Sequence, residues 1–479
     1  MRRILKSLIL SMALFAAAAI IPAGAQELTP GRLLERVPCR TSGHSYALYL
    51  PAAYTAQKRW PAIYCFDPVG NGAAPVRLLL ESAERLGWIV IGSNNSRNGP
   101  AQAAVEAARI LWNETAFLAI DRRRVYATGF SGGAHMALTA AVMFEPPLAG
   151  VLACSNGLPA GLSVAEFPAG TVFFTSAGLS DFNYRPVMRL TEQLQEHGLT
   201  VECELFPSFH TWPPAAVLSH ALEWFEVQAM RAKTRPRDED LAARVLERLR
   251  AGILEAERRG RPAEALDGWT RLIRAWEGLD DLPEARARVQ ALRNSPRLPI
   301  DQKRRGEEQR REQEQLDQLS RGWARLWASM EESATHSRRI ATLGIRELRR
   351  TAEKKAGTPE GDGAQRLLGL LSAEAQARGQ ETLAAGRFDD AILCFEIVEA
   401  VRPGRPAPLY NLACAHCRAG DRKKGLEYLQ RAVEAGLRNF ELLAADEDLK
   451  PLRDDPAFVR LLERLRALPD GHPAPRHAG

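Results

Sequence analysis

Between residues 40 and 230, short apolar runs alternate with longer stretches of helical periodicity, and this alternation constrains the fold more than any other feature. The runs are rich in β-branched and aromatic residues, as strands are, and lie at 46–50, 62–66, 88–92, 125–128, 151–154, 171–175 and 201–206. Helical stretches lie between most of them, at 75–85, 101–118, 132–143, 185–197 and 214–228. This order predicts an α/β fold with a mostly parallel sheet covered by helices on both faces, and functional loops at the carboxyl ends of the strands.

The density of charged side chains changes sharply near residue 230. Residues 26–230 contain 31 Asp, Glu, Lys and Arg among 205 residues, whereas residues 231–479 contain 88 among 249. In a chain of 479 residues, such a change predicts an α/β unit at 26–230, a linker at 231–240 and a separate all-α region. The formal net charge of +6 is small for this length, so we expect no nucleic-acid partner.

The first 25 residues have the pattern of a secretory signal. Three basic residues precede an apolar run at 8–21, and the small residues at 23–25 follow. This apolar run is shorter than the roughly 20 residues that span a bilayer, which favours a cleavable signal over a membrane anchor. The sequence therefore predicts cleavage after Ala25, export to the periplasm or the medium, and no membrane span in the mature chain.

A G-x-S-x-G pattern, Gly129 to Gly133, lies between the strand-like run at 125–128 and the helical stretch at 132–143. So tight a strand-to-helix turn exposes the serine hydroxyl, and the glycines let the backbone make the turn. The helix N-terminus also directs free amides toward the oxygen that becomes charged. The pattern predicts Ser131 as a nucleophile, and a glycine-rich turn without catalytic function is the alternative.

A serine hydroxyl needs a histidine base that a carboxylate orients, and in this fold the chain order is Ser, acid, His. Asp181 follows the run at 171–175 and His210 follows the run at 201–206, so both lie at strand ends. We therefore predict Asp181 as the acid and His210 as the base. The alternatives are a turn-forming aspartate and a hydrogen-bonded loop histidine. Competing side chains are less well placed along the chain: His44, His135, His197, His220, Glu166, Glu202 and Glu204.

Two backbone amides should bind the oxyanion, and one of them normally follows the nucleophile, here at Gly132. The second should come from the loop after the run at 62–66, where Pro68 has no N–H to donate. That leaves Val69, or else Gly70, as the second donor. The polar segment 94–97 either lines the substrate pocket or is a solvated loop. No cofactor and no metal site is expected from the sequence.

On these residues the segment 40–228 resembles the α/β-hydrolase fold, and is most similar to secreted esterases of the polyhydroxybutyrate-depolymerase and feruloyl-esterase kind. The resemblance lies in the run 121–133 and in the segment 210–213. It implies Ser131 as nucleophile, His210 as base and Asp181 as acid. The chain departs from these esterases in the loop after the run at 62–66, where Asp67 and Pro68 replace the usual His-Gly pair.

The second half of the chain has the pattern of a helical array. The segments 372–405 and 406–439 repeat with a period of 34 residues and resemble tetratricopeptide repeats, which bind partners. A degenerate unit is expected near 260–276 within a helical region at 241–371, capping helices at 440–468 and a disordered tail at 469–479. The highly charged segment 301–315 is expected to be a solvated helix or a flexible connection, forming a weak joint between two helical parts.

Together these patterns predict an exported serine hydrolase that cleaves a carboxylic ester through an acyl-enzyme. Its substrate would be a small-molecule or polymer ester, and the helical repeats would bind a protein partner or the polymer. One alternative is a binding protein whose hydrolase unit turns over little. The other is a peptidase of the same fold.

Overall fold

The computed structural model describes residues 28–328 and 335–466. The predicted signal at 1–25 and the predicted tail at 469–479 lie outside the described residues. Within the described ranges, no helix combines the length and the hydropathy needed to cross a bilayer.

Eight strands form one sheet in the first half of the chain. They are β1 (Leu34–Pro38), β2 (Ser45–Tyr49), β3 (Trp60–Phe66), β4 (Ile89–Ser93), β5 (Ile120–Phe130), β6 (Gly150–Cys154), β7 (Val172–Gly178) and β8 (Val201–Phe206). Their spatial order is β1-β2-β4-β3-β5-β6-β7-β8. Strand β2 pairs antiparallel with β1 and β4, and all other pairs are parallel. The predicted α/β class with a mostly parallel sheet is confirmed.

Five helices cover the two faces of this sheet: α1 (Ala73–Leu86), α2 (Ala101–Glu114), α3 (Gly132–Met143), α4 (Tyr184–Glu196) and α5 (Ala215–Arg231). Helices α2, α3 and α4 contribute side chains to one hydrophobic core. Helices α1 and α5 contribute to the second core, on the opposite face. Because the sheet is buried on both faces, its central strands are continuous apolar runs, and the sequence pattern reveals them.

Two features of the sheet differ from the sequence prediction. Strand β1 was not predicted, because it is a short edge strand with three exposed residues and has no apolar alternation. Strand β5 begins at Ile120 and includes the charged residues 121–124. Its charged start is tolerated because Arg124 forms an ion pair with the buried Glu226 of α5. Helix α2 accordingly ends at Glu114, four residues before its predicted end.

The rest of the described chain is helical, as predicted. Its helices are α6 (Glu239–Arg258), α7 (Pro262–Trp276), α8 (Pro283–Arg293), α9 (Arg297–Ala328), α10 (His336–Ala341), α11 (Ile345–Lys354), α12 (Pro359–Ala384), α13 (Phe388–Val401), α14 (Pro406–Arg418), α15 (Arg422–Glu434), α16 (Phe440–Ala445) and α17 (Pro456–Arg466). The two predicted repeat units correspond to the end of α12 with α13, and to α14 with α15. Gly379 allows the close approach of the first pair, because a β-carbon there would lie 2.6 Å from the ring of Phe395.

Helices α6, α7 and α8 share a hydrophobic core with the β-sheet. Val245 of α6 and Trp269 and Trp276 of α7 lie in the same cluster as Phe174 of β7 and Trp224 of α5. The segment predicted as a linker at 231–240 is also anchored. Its Arg235 forms an ion pair with the buried Glu226. The change in composition near residue 230 is therefore not a break in packing.

The charged segment 301–315 lies within one continuous helix, α9, which runs for 32 residues from Arg297 to Ala328. Of the two forms expected for this segment, the structure shows the helix, and the flexible connection that would make a weak joint is not present at 301–315. Its charges do not interrupt the helix because several are paired on the helix surface, as Arg304 is with Asp301 and Glu308. Others are paired with different elements, as described below.

Candidate active site

Ser131 lies on a sharp turn between β5 and α3. Its backbone has φ 54° and ψ −123°, a conformation that costs a non-glycine residue free energy and is typical of a nucleophile elbow. The turn requires glycine on both sides. A β-carbon on Gly129 would lie 2.0 Å from the carbonyl oxygen of Gly133, and one on Gly133 would lie 2.0 Å from that of Phe66. The strained turn places the hydroxyl at the carboxyl edge of the sheet.

The structure brings the three predicted catalytic side chains into one hydrogen-bonded chain. His210 Nε2 lies 3.0 Å from Ser131 Oγ, and His210 Nδ1 lies 2.8 Å from Asp181 Oδ1. Since an ionised carboxylate only accepts hydrogen bonds, Nδ1 carries the proton and Nε2 is free to accept one from the serine. The side chain of Asp181 is fully buried, and that of His210 is 8% exposed.

Two aromatic rings hold the imidazole of His210. The centroid of Phe130 lies 4.6 Å and that of Phe182 lies 4.1 Å from the centroid of the imidazole. The Asp181 carboxylate is fixed as well, because Oδ1 also accepts a hydrogen bond from the Asn183 amide at 2.8 Å. The ring and its carboxylate partner are therefore held before any substrate arrives.

Asp67 connects the loop after β3 to the loop that carries His210. Its Oδ1 accepts hydrogen bonds from the amides of Val69 at 3.0 Å and Asn71 at 3.2 Å. Its Oδ2 accepts one from the indole Nε1 of Trp212 at 2.9 Å. The sequence showed Asp67 only as a departure from the usual His-Gly pair. In the structure it is a buried carboxylate that joins the two loops.

These contacts overturn the prediction of Val69 as the second oxyanion donor. The Val69 amide already donates to Asp67 Oδ1, and the Gly70 amide donates to the Asp67 carbonyl oxygen at 3.1 Å. Neither N–H is free to bind an oxyanion. Gly132 begins α3, where the first amides have no partner within the helix, so it retains its predicted place beside Ser131.

Sequence reasoning missed Asn98, whose carboxamide lies against Gly132. A β-carbon on Gly132 would lie 1.8 Å from Asn98 Oδ1 and 3.3 Å from Nδ2. The backbone N–H of Asn98 donates a hydrogen bond of 2.8 Å to the Pro68 carbonyl oxygen, which connects this residue to the loop after β3. Only the position of Asn98 directly after the polar segment 94–97 could have indicated it.

The competing histidines have other contacts. His220 Nδ1 lies 3.0 Å from Glu204 Oε1, and His197 Nδ1 lies 3.0 Å from the Gln193 carbonyl oxygen of its own helix. Burial lowers the pKa of His135, although a hydrogen bond with Asn156 opposes that shift. In residues 28–328 and 335–466, no group of three or more His, Cys, Asp or Glu side chains is arranged to hold a metal ion.

No protein-family model matches the chain. Among curated proteins, it is similar to a chloroplastic protein of Arabidopsis thaliana, at 29% identity over 86 residues. This match covers 17% of the chain and spans about a quarter of the plant protein, so it does not extend to the activity of either whole chain.

Among solved structures, the chain is similar to a substrate-bound fluorophosphonate-binding serine hydrolase, FphF of Staphylococcus aureus. The identity is 14%, the match covers 41% of this chain and 98% of that one, and the TM-score is 0.35. A ferulic acid esterase has the same identity, coverage and TM-score. An esterase of Pyrobaculum calidifontis matches at 14% identity, over 42% of this chain and 85% of its own, with a TM-score of 0.34. At these TM-scores the likeness says nothing about function, which rests on the geometry of the site itself.

Proposed function

We propose that the protein is a serine hydrolase that cleaves a carboxylic ester through an acyl-enzyme intermediate. The observation that carries this proposal is the continuous hydrogen-bonded chain from Ser131 Oγ through His210 to Asp181. Its serine lies on a strained elbow at the start of a helix. This combination of nucleophile, base and buried carboxylate is the arrangement that acyl transfer requires.

The reaction would proceed in two steps. His210 Nε2 accepts the Ser131 proton as Oγ attacks the ester carbonyl, and Asp181 stabilises the imidazolium that forms. The imidazolium then protonates the departing alcohol, which leaves the acyl group on Ser131. A water molecule activated by His210 releases the acid in the same way.

The oxyanion formed in each step would be bound by two donors of this chain. We propose the Gly132 amide as the first, because it lies at the N-terminus of α3 and directly follows the nucleophile. The Asn98 carboxamide is proposed as the second in place of Val69, because it lies against Gly132 and rotation by 180° presents Nδ2 to the oxyanion.

Apolar surface on the catalytic loops favours a hydrophobic group in the substrate. Val69, in the loop after β3, is 64% exposed, and Phe209, next to His210, is 52% exposed. Exposed large apolar side chains beside a polar catalytic centre are typical of a site that binds an apolar ligand group.

The roles of the remaining parts of the chain are proposed from sequence. The helices from α12 to α17 would bind a protein partner or a polymeric substrate, as repeat arrays do. Export is proposed from residues 1–25, which lie outside the described residues.

A panel of p-nitrophenyl esters of increasing acyl length, with a feruloyl and a hydroxybutyrate ester, tests this function. We expect hydrolysis of at least one ester, and a loss of about a thousandfold or more in kcat for Ser131→Ala. Ser337→Ala, which changes an exposed serine on α10, is the matched control and should retain full activity. Unchanged hydrolysis by Ser131→Ala would overturn the proposal.

A further inference from the structure

The loop that carries Asp181 is held by a helix from the second half of the chain. Arg366 Nη1, on α12, donates a hydrogen bond of 2.6 Å to the carbonyl oxygen of Leu179. Ser180 Oγ donates one of 2.8 Å to Asp362 Oδ1, also on α12. Two consecutive residues directly before the catalytic carboxylate are therefore bound to a helix more than 180 residues further along the chain.

Arg366 is itself held in one orientation. Its Nε and Nη2 donate to the two carboxylate oxygens of Glu312 on α9, at 2.6 and 2.8 Å, a bidentate pair of the strongest geometry available to arginine. Its guanidinium also lies over the ring of Tyr184, 4.6 Å from the centroid. Only 8% of the Arg366 side chain is exposed, so the hydrogen bond to Leu179 is well protected from water.

Glu312 completes the connection to the catalytic domain. It accepts a hydrogen bond of 2.8 Å from Arg185 Nε on α4, the helix that follows the Asp181 loop. Burial alone would raise the pKa of Glu312, but the hydrogen bonds and charges of Arg366 and Arg185 outweigh burial and lower it. The carboxylate is therefore ionised at neutral pH and bridges two arginines from opposite sides of the contact.

The same helix α12 also passes close to an aromatic ring that packs against the catalytic histidine. A β-carbon on Gly369 would lie 3.4 Å from Cδ1 of Phe182, so the backbone of α12 passes close to this ring. Phe182 in turn lies 4.1 Å from the imidazole of His210, measured between ring centroids. Helix α12 therefore forms hydrogen bonds with the carboxylate loop and also passes close to the aromatic ring that packs against the imidazole.

We propose that Arg366 is a positioning residue of the catalytic triad, and that α12 and α9 are a structural part of the active site as well as of the repeat array. Arg366 holds the Asp181 loop through the carbonyl oxygen of Leu179, so that the carboxylate lies in line with His210 Nδ1. The inference rests on the proposed serine-hydrolase function. It predicts that the second half of the chain is required for full turnover of even a small ester that contacts no helix of the array.

The test compares kcat, KM and the pH profile of kcat/KM for full-length Arg366→Met with the wild type. A displaced carboxylate stabilises the imidazolium less, so the acidic limb of the profile should move to lower pH. We also expect kcat to fall by about tenfold to a hundredfold, since small misplacements of catalytic groups have effects of this size. The KM for a short p-nitrophenyl ester should change little. Loss of folded protein alone would lower the apparent kcat without moving the limb.

Two further variants make the result decisive. Asp362→Ala removes only the acceptor of the Ser180 hydroxyl and should produce the same shift to a smaller extent, even if Arg366→Met fails to fold. Arg418→Met is the matched control, since Arg418 on α14 pairs with Asp448 within the helical region, and its kinetics should equal those of the wild type. Unchanged kcat and pH limb in folded Arg366→Met, or in Asp362→Ala if only that variant folds, would overturn the inference. A wild-type enzyme that hydrolyses no ester would instead overturn the proposed function.

Discussion

At the scale of single residues, the hydrogen-bonded chain of Ser131, His210 and Asp181 joins three side chains that each follow the carboxyl end of a strand. Those positions follow from the order of strands and helices, which the apolar pattern reveals. The oxyanion loop could not be predicted in the same way. Which amide is free depends on the fold of the loop around Asp67, and no periodicity of the sequence reports that fold.

The hydrogen bond between Asp67 and Trp212 should couple the two loops energetically. Asn at position 67 can still accept from the Val69 amide, but its NH2 group cannot accept from the indole. Asp67→Asn and Trp212→Phe should each lower the free energy of unfolding. A double-mutant cycle measured by urea unfolding should give a coupling of about 1 to 3 kcal/mol. Full additivity of the two effects would show that the contact contributes nothing.

Asn98 should act on the chemical step if its carboxamide binds the oxyanion. We expect Asn98→Ala to lower kcat by about a hundredfold, the usual loss for one oxyanion donor, with little change in KM. Steady-state kinetics on the best p-nitrophenyl ester checks this. Asn113→Ala, an exposed asparagine on α2, is the control. An unchanged kcat for Asn98→Ala would exclude its carboxamide as the second donor.

At the scale of elements, long helices and buried strands were predictable because each has a strong periodic pattern. Strand β1 lacked that pattern because it lies at the sheet edge with most of its side chains exposed. The sequence predicts a weak joint in the charged middle of α9 because local charge density does not report distant partners. Its Glu312 is paired with arginines on α4 and α12.

The ion pairs of Glu226 should stabilise the packing of α5 against β5 and the segment that follows it. Its side chain is only 1% exposed and pairs with Arg124 of β5 and with Arg235 of the segment after α5. Glu226→Gln leaves the guanidinium of Arg124 without its counter-ion and that of Arg235 with Asp238 alone, and should reduce the free energy of unfolding by about 3 kcal/mol. Glu239→Gln, in the exposed pair with Arg237, should cost less than about 1 kcal/mol. Equal effects in chemical denaturation would contradict this account.

At the scale of the whole molecule, composition divides the chain near residue 230, but the hydrophobic core does not. The charged residues lie mainly on the exposed faces of the helices, whereas the packing of the helices depends on their buried faces. The buried faces of α6, α7 and α8 pack against the catalytic sheet. The change in composition could therefore be found from the sequence, whereas the continuous hydrophobic core across it could not.

This shared core predicts that a change in α7 destabilises the catalytic domain. Trp269 is buried in the second core, and Trp269→Ala should cost about 3 to 5 kcal/mol. We expect the temperature at which esterase activity is lost to fall together with the melting temperature measured by circular dichroism. Phe458→Ala, which changes a buried residue of the separate cluster formed by the last helices, should leave the activity midpoint nearer to that of the wild type. An unaltered activity midpoint in Trp269→Ala would show two independent folding units.

The most direct test of the central claim is covalent labelling of the folded full-length protein with a fluorophosphonate probe, mapped by mass spectrometry. The arrangement of Ser131, His210 and Asp181 predicts a single labelled peptide containing Ser131. Labelling should be absent in Ser131→Ala and strongly slowed in His210→Gln, because the hydroxyl then lacks its base. Failure of the folded wild-type protein to label at Ser131 would contradict the claim that this site is a working serine hydrolase.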